Sequence, residues 1–267
     1  MATKDHTIVF ITGANSGVGY ETVRALLKSS RPYYIYLGSR SIDNGNQAAT
    51  TLRDETPESS SSIEVIEIDV SSDDYINAAF EKLNQGPGRL DVLVNNAGHS
   101  LENRVSTGQY TLREAWNKMY DVNVTGAHIL TSTLAPLLCQ SSNPRLLFLS
   151  SGLAQLETLS KGYYPGQPPV AGWPKSASIS PHGYRASKTG LNMMMLTWYW
   201  TLKNDGVKVW SVNPGWLATN LGGTREKLKE LGAGDPALGG TLIRQVIEGG
   251  RDADVGKVVI SQGIQPF

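Results

Sequence analysis

A single cysteine, Cys139, is present, so no intramolecular disulfide can form, and no CxxC pair or Cys/His cluster offers a zinc site. The histidines His6, His99, His128 and His182 follow no metal-ligand spacing, and no metal is expected. An excess of one charge is also missing: 24 Lys and Arg balance 24 Asp and Glu to a formal net charge of zero. Nucleic-acid binders draw much of their affinity from neutralising phosphates and carry a basic excess or stripe, so nucleic acid is not the expected partner. No stretch approaches the ~18 apolar residues of a membrane span. The apolar run in MATKDHTIVFITG follows Lys4 and Asp5 and is too short for a secretory core. A reducing, cytoplasmic setting and a small-molecule ligand are expected. With 40% hydrophobic and 18% charged residues over 267 positions, the chain can bury a sizeable core, which excludes general disorder.

Short β-branched or aromatic runs alternate with longer amphipathic segments, the pattern of repeated β-α units on a parallel sheet. Strands are expected at 7–11, 33–37, 63–68, 90–94, 146–149, 207–212 and 257–260, with helices at 17–29, 44–55, 73–84, 111–139, 184–204 and 235–248. This is an α/β chain with seven parallel strands, read as one domain over 1–267. The serine tract at 57–62 sits where a helix returns to a strand and reads as a loop. Two segments resist the pattern. Residues 152–183 carry Pro165, Pro168, Pro169, Pro174 and Pro181 without periodicity, and 216–233 mixes apolar residues with Gly222-Gly223 before a basic stretch. Long irregular segments in compact domains are usually functional, so the first is read as a substrate-site insertion and the second as a lid.

Thr12-Gly13-Ala14-Asn15-Ser16-Gly17-Val18-Gly19 follows the first strand and opens the first helix. Glycines there let the backbone turn sharply and approach a pyrophosphate, while the helix N-terminus offers free N–H groups and a favourable dipole. The second strand ends Leu37-Gly38-Ser39-Arg40, with no carboxylate for ribose hydroxyls. Space, a hydroxyl and a guanidinium able to grip a phosphate in bidentate fashion favour NADPH over NADH. Asp43, three residues into the loop, is expected to face water. Tyr184 and Lys188, four apart, project from one helix face. A phenol ionises near 10, and lowering that by ~3 units requires ~4 kcal/mol of phenolate stabilisation, for which the Lys188 ammonium is a suitable source.

In order, TGxxxGxG at 12–19, Asn95-Asn96-Ala97-Gly98, Ser150-Ser151 and the Tyr184/Lys188 pair resemble the short-chain dehydrogenase/reductase family over essentially the whole chain. The resemblance implies a Rossmann-like, doubly wound sheet in three α/β/α layers. It implies four catalytic residues: Tyr184 gives its proton to the developing alkoxide, Ser151 hydrogen-bonds the same oxygen, Lys188 supports the phenol, and Asn123 supports a water relay to Lys188. This explains Asn123-Val124-Thr125 better than glycosylation does. Ser150 is then the structural member of its pair. The implied NADP site uses Gly13, Asn15, Ser16, Gly17, Val18, Gly19 and Arg40. It also uses Asp69 on the adenine with Val70 packed against it, Asn96, Ala97 and Gly98, Tyr184 and Lys188, and Pro214, Gly215, Leu217 and Thr219 around the carboxamide.

The substrate pocket is expected to be walled by His99, Ser151, Tyr163, Tyr164, Trp173, Tyr184 and Trp216, suiting a bulky, partly apolar or aromatic ketone. The Pro214-Gly215-Trp216 turn and the long Ser151–Tyr184 interval liken the chain to carbonyl-reductase-type members. In such members an insertion can cover the helix face otherwise used for dimerisation, so a monomer or homodimer is expected rather than a tetramer. The expected activity is NADPH-dependent carbonyl reduction. The alternatives are an NAD(P)-dependent alcohol dehydrogenase or imine reductase, and, from another class, a non-catalytic NADP-binding scaffold. Met193-Met194-Met195, Trp198 and Trp200 are expected in core and interface packing, and Arg225, Lys227 and Lys229 on the solvated face of a short helix.

Overall fold

The structure, a computed structural model, describes residues 6–162, 167–173, 175 and 181–267. Eight strands form one sheet: β1 (Thr7–Ile11), β2 (Tyr33–Ser39), β3 (Ser62–Glu67), β4 (Val92–Asn95), β5 (Arg145–Leu149), β6 (Lys208–Val212), β7 (Val258–Val259) and β8 (Ile264–Gln265). Their order is β3-β2-β1-β4-β5-β6-β7-β8. The seven expected strands are present and parallel. The eighth is an addition, antiparallel to β7, and at two residues it is too short to show a period in sequence.

Both faces of the sheet are covered, as parallel strands require. Ile8, Phe10, Leu93, Leu146, Phe148 and Val209 pack with α3 (Asp73–Gln85), α6 (Ala127–Leu138) and α8 (His182–Thr201). The alternate residues Val9, Ile11, Val94, Leu147 and Trp210 pack with α1 (Gly17–Leu27), α2 (Ile42–Glu55) and α10 (Pro236–Ile247). This is a Rossmann-like α/β/α arrangement, with the loops that follow β1, β2, β4, β5 and β6 gathered at the strands' carboxyl ends.

Residues 111–139 are not one helix. α5 (Leu112–Tyr120) and α6 are joined by a widened π turn over Asp121–Gly126. Gly126 lies so close to the chain after β3 that a Cβ there would come within 2.2 Å of the Val70 carbonyl oxygen. A single-turn π insertion often marks a functional residue, and here Asn123 sits inside it. Helices α4 (Glu102–Ser106) and α7 (Leu156–Ser160) are too short for periodicity and were not expected. Helix α9 (Arg225–Glu230) carries Arg225, Lys227 and Lys229 exposed, as the charge run suggested. Met195 is in the core and Trp198 packs beside it, whereas Met193 and Trp200 face outward. No described helix is long and apolar enough to cross a membrane.

Helices α1 and α10 cross at Gly240, where a Cβ would come within 2.3 Å of the Glu21 carbonyl oxygen. Both partners are backbone, so neither yields easily. Gly240→Ala is expected to destabilise the fold by about 1–3 kcal/mol through overpacking, read as a lower urea midpoint.

Candidate active site

The loop after β1 is shaped by glycines at positive φ, +62° at Gly13 and +57° at Gly17. It is locked to the loop after β4. Thr12 Oγ1 accepts the backbone N–H groups of Asn96 (3.1 Å) and Ala97 (3.0 Å), and Asn96 Nδ2 donates to the carbonyls of Thr12 (2.7 Å) and Gly13 (3.1 Å). A Cβ at Gly19 would come within 2.5 Å of that Asn96 nitrogen, so only glycine lets α1 start this close to the strand. The N-cap of α1, Ser16, makes no side-chain cap, and no acidic residue sits in the first turn. The first N–H groups of α1 are therefore open to an anion, and the helix dipole favours one. Thr219 lies over the same turn, with its Cβ 3.5 Å from a Cβ placed on Gly17. Around Gly239, Val18, Pro214 and Leu217 converge within 3.1 Å of where a Cβ would stand. Three distant segments thus build one cradle, and it fits a dinucleotide.

At the end of β2, Arg40 is exposed, and it acts electrostatically on both Asp69 and His99. Burial works to raise the Asp69 carboxyl, but hydrogen bonds from the Ser71 hydroxyl (2.7 Å) and N–H (3.0 Å), with Arg40 beyond them, hold it below the usual carboxylate range. His99 is half-buried, and burial together with Arg40 and Arg104 pushes its imidazole down, Asp69 opposing.

The other cluster lies between β5 and α8. Tyr184 is buried, and burial pushes its phenol up to about 12, against a hydrogen bond from Ser151 and with help from the Glu102 charge. One helical turn on, Lys188 is buried too, and desolvation lowers its ammonium to about 8. Its Nζ donates to the Leu149 carbonyl (2.7 Å) and stands 5.8 Å from the centre of the Tyr184 ring. Asn123 Oδ1 accepts from the His99 N–H (2.7 Å), while its Nδ2 donates to the His99 carbonyl and to Ser187 Oγ, both at 2.9 Å. Ser187 Oγ in turn donates to the Tyr184 carbonyl (2.8 Å). Gly98 separates Asn123 from Lys188: a Cβ there would be 3.2 Å from Asn123 Oδ1 and 3.4 Å from Lys188 Nζ.

Residues 7–166 match the short chain dehydrogenase family. The chain is 46% identical over 270 residues to the short-chain dehydrogenase/reductase tropE of Talaromyces stipitatus, covering 100% of each. It is 41% identical over 271 residues to eupG, another short-chain dehydrogenase/reductase, from a Phoma species, covering 97% of each. The chain belongs to this family. As a member of it, the protein is an oxidoreductase. Its fold is shared with an NADPH-bound carbonyl reductase from chicken fatty liver, at a TM-score of 0.77 and 22% identity over 98% of this chain and 99% of that one. An actinorhodin polyketide ketoreductase with NADPH shares it too, at 0.71 and 22% over 98% of each.

In this short-chain dehydrogenase, the structure gathers Asn123, Ser151, Tyr184 and Lys188 at one end of the sheet beside the cradle. The other expected site residues differ widely in exposure. Trp173 is 88% exposed and Trp216 60% exposed, so neither side chain is packed into a wall. Tyr163 and Tyr164 lie outside the described residues. Gly38 and Ser39 offer no open space, because a Cβ at Gly38 would come within 2.9 Å of the Ile11 carbonyl oxygen, and the Ser39 hydroxyl is buried and donates to the Ser41 carbonyl (2.8 Å). Of that strand end, only Arg40 faces outward.

Sequence reasoning missed Ser187, inside the motif yet silent about its direction, and Gln265, which has no motif at all. Gln265 Nε2 donates to the Ser151 carbonyl (3.2 Å), and its Oε1 accepts from Asn213 Nδ2 (2.7 Å). Asn213 Oδ1 then accepts from the Gly215 N–H (3.0 Å). Strand β8 thereby ties the serine to the turn after β6. Gln265→Met leaves the buried Asn213 amide and the part-buried Ser151 carbonyl unpaired, and is expected to lower stability by about 2 kcal/mol in urea denaturation, with a higher KM for the cofactor.

Proposed function

We propose that the protein is an NADPH-dependent carbonyl reductase acting on a bulky, partly apolar or aromatic ketone or aldehyde. In this reading the chain is one NAD(P)-binding unit with an insertion at 152–183 and a lid at 216–233. It works in the cytoplasm as a monomer or homodimer. The observation that carries the activity is the buried Tyr184 hydroxyl, on which Ser151 acts, with a buried lysine one turn along the same helix, beside a glycine-lined cradle.

Gly13, Asn15, Ser16, Gly17, Val18 and Gly19 would hold the diphosphate of NADPH, and Arg40 its additional phosphate. Asp69, Val70, Asn96, Ala97 and Gly98 would hold the adenosine half, and Pro214, Gly215, Leu217 and Thr219 the carboxamide, with Tyr184 and Lys188 close by. Bound there, the cofactor supplies a hydride to the carbonyl carbon. Tyr184 then delivers its proton to the carbonyl oxygen, a task for which a phenol that stays protonated at neutrality is suited. Ser151 donates a hydrogen bond to that oxygen and fixes its position as negative charge builds. Lys188 offsets the charge left on the phenolate, and Asn123 holds the His99 backbone and, through Ser187, the first turns of α8. The likeness to proteins described as NADPH-bound reductases supports the choice of cofactor and direction.

The pH dependence follows from the two buried groups. Lys188 loses its charge as pH rises through about 8, whereas Tyr184 keeps its proton until about 12. At saturating NADPH, kcat for reduction is expected to hold up to about pH 8 and decline above it. A rate unchanged through pH 10 would contradict the role of the ammonium. The activity itself is tested by following nicotinamide absorbance with NADPH or NADH against aromatic ketones, quinones, aldehydes and cyclic imines. Turnover with NADPH on a carbonyl supports the proposal. Cofactor binding without turnover of any of these compounds favours the scaffold reading instead.

A further inference from the structure

Helix α8 carries both Tyr184 and Lys188, yet its own sequence does not secure its start. The residue before it is Pro181, which has no side-chain acceptor, and the first turn contains no acidic residue. A helix beginning this way leaves its leading N–H groups without partners. One of them belongs to Tyr184, and it is satisfied from 82 residues away: Glu102 Oε1 accepts the Tyr184 N–H at 2.7 Å. Gly183 sits beside this contact, where a Cβ would stand 2.4 Å from Met119 Cε and 3.2 Å from the Trp116 ring, so α8 packs closely against α5 at its start. The other oxygen of Glu102 accepts from Ser100 Oγ at 3.3 Å. Ser100 in turn lies against the 216–233 segment, 3.2 Å from a Cβ placed on Gly222.

We propose that Glu102 is the positioning residue of Tyr184, acting as the missing cap of α8 and linking the tyrosine's place to the 216–233 segment through Ser100. The inference rests on the reading of Tyr184 as proton donor. A carboxylate suits the positive end of a helix, and by fixing the N–H of the reacting residue itself it limits drift of the phenol away from Ser151.

The same carboxylate has a second effect. The groups facing Tyr184 from the elements around it are Glu102 on α4, Lys188 on α8 and the Ser151 hydroxyl, with Leu101, Val105, Tyr110, Ala115, Met119 and Leu153 packed about the ring. Glu102 is the negative charge among them, and it disfavours the phenolate. Tyr184 therefore stays protonated to higher pH, and the phenolate that alcohol oxidation needs as its proton acceptor forms only at higher pH.

Two variants separate the cap from the charge. Glu102→Gln keeps an acceptor oxygen for the Tyr184 N–H and loses the charge; Glu102→Ala loses both. The assay uses an aryl ketone or quinone that the wild type reduces, together with the corresponding alcohol. In Glu102→Ala, kcat for reduction is expected to fall 10- to 100-fold with the KM for NADPH within about threefold of wild type. In Glu102→Gln, most of that kcat returns, while the limb of alcohol oxidation that rises with pH moves to lower pH. Ser100→Ala, a milder change at the far end of the contact, is expected to lower kcat by a smaller factor in the same direction. If Tyr184→Phe is inactive but both Glu102 variants keep the wild-type kcat and pH profile, the inference is overturned. If Tyr184→Phe is itself as active as wild type, it is the reading of the site that fails.

Discussion

Tyr184→Phe is expected to lower kcat/KM for carbonyl reduction by about 10³-fold, within the range that general acids contribute. The variant removes a single oxygen from a buried ring whose remaining packing, with Leu101, Ala115 and Met119, is apolar. Its stability is expected to stay within about 1 kcal/mol of wild type, since a buried hydroxyl is removed together with its interaction with Ser151. Cofactor affinity, measured by fluorescence titration with NADPH, is expected to change by less than about threefold, because the glycine cradle and Arg40 are untouched. A loss of activity without loss of fold or of cofactor binding is what separates a proton donor from a packing residue.

Arg40→Asp is expected to cost NADPH at least about 10²-fold in kcat/KM while NADH gains. A charge-assisted bidentate contact to phosphate contributes about 1.5–3 kcal/mol, and an aspartate in its place adds repulsion. Arg40 is exposed, so the exchange should leave the melting temperature within a few degrees. Asp69 sharpens the effect: its carboxyl is held down in part by Arg40, and the variant would set a second carboxylate in its neighbourhood. An unchanged preference for NADPH would show that another group selects the phosphate.

Strands β1, β2, β4, β5 and β6 were legible because they are mostly apolar runs buried on both faces, as the burial of Ile8, Val9, Phe10 and Ile11 shows, whereas the edge strand β3 interleaves charged residues and is only partly buried. The glycine turn was legible for a related reason: Gly13 and Gly17 sit at positive φ and Gly19 at a contact no side chain could enter, so the spacing records geometry. What the sequence hid is mostly what a period cannot show. The π turn at Asp121–Gly126 interrupts a helix whose apolar spacing runs on. Strand β8 is two residues long, and Gln265 acts through a contact 114 residues from Ser151 in sequence. The spacing of Tyr184 and Lys188 was read correctly as one helix face, but not the depth at which that face lies. Burial takes the phenol up to about 12, with Lys188 Nζ engaged by the Leu149 carbonyl, and Lys188 together with a cationic nicotinamide is the expected source of the opposing stabilisation. Ser39 was read as an open hydroxyl from its place at a strand end, whereas the close packing at Gly38 turns it inward.

In the proposed reaction hydride passes from a nicotinamide to a carbonyl carbon while Tyr184 supplies the proton. NADPH carrying deuterium at both C4 positions of the nicotinamide, incubated with the protein and an aromatic ketone that it consumes, tests this directly, with the product examined by mass spectrometry and proton NMR. One deuterium is expected on the carbinol carbon in wild type and no labelled alcohol above background in Tyr184→Phe. Labelled alcohol formed equally well by both proteins would contradict the proposed reaction.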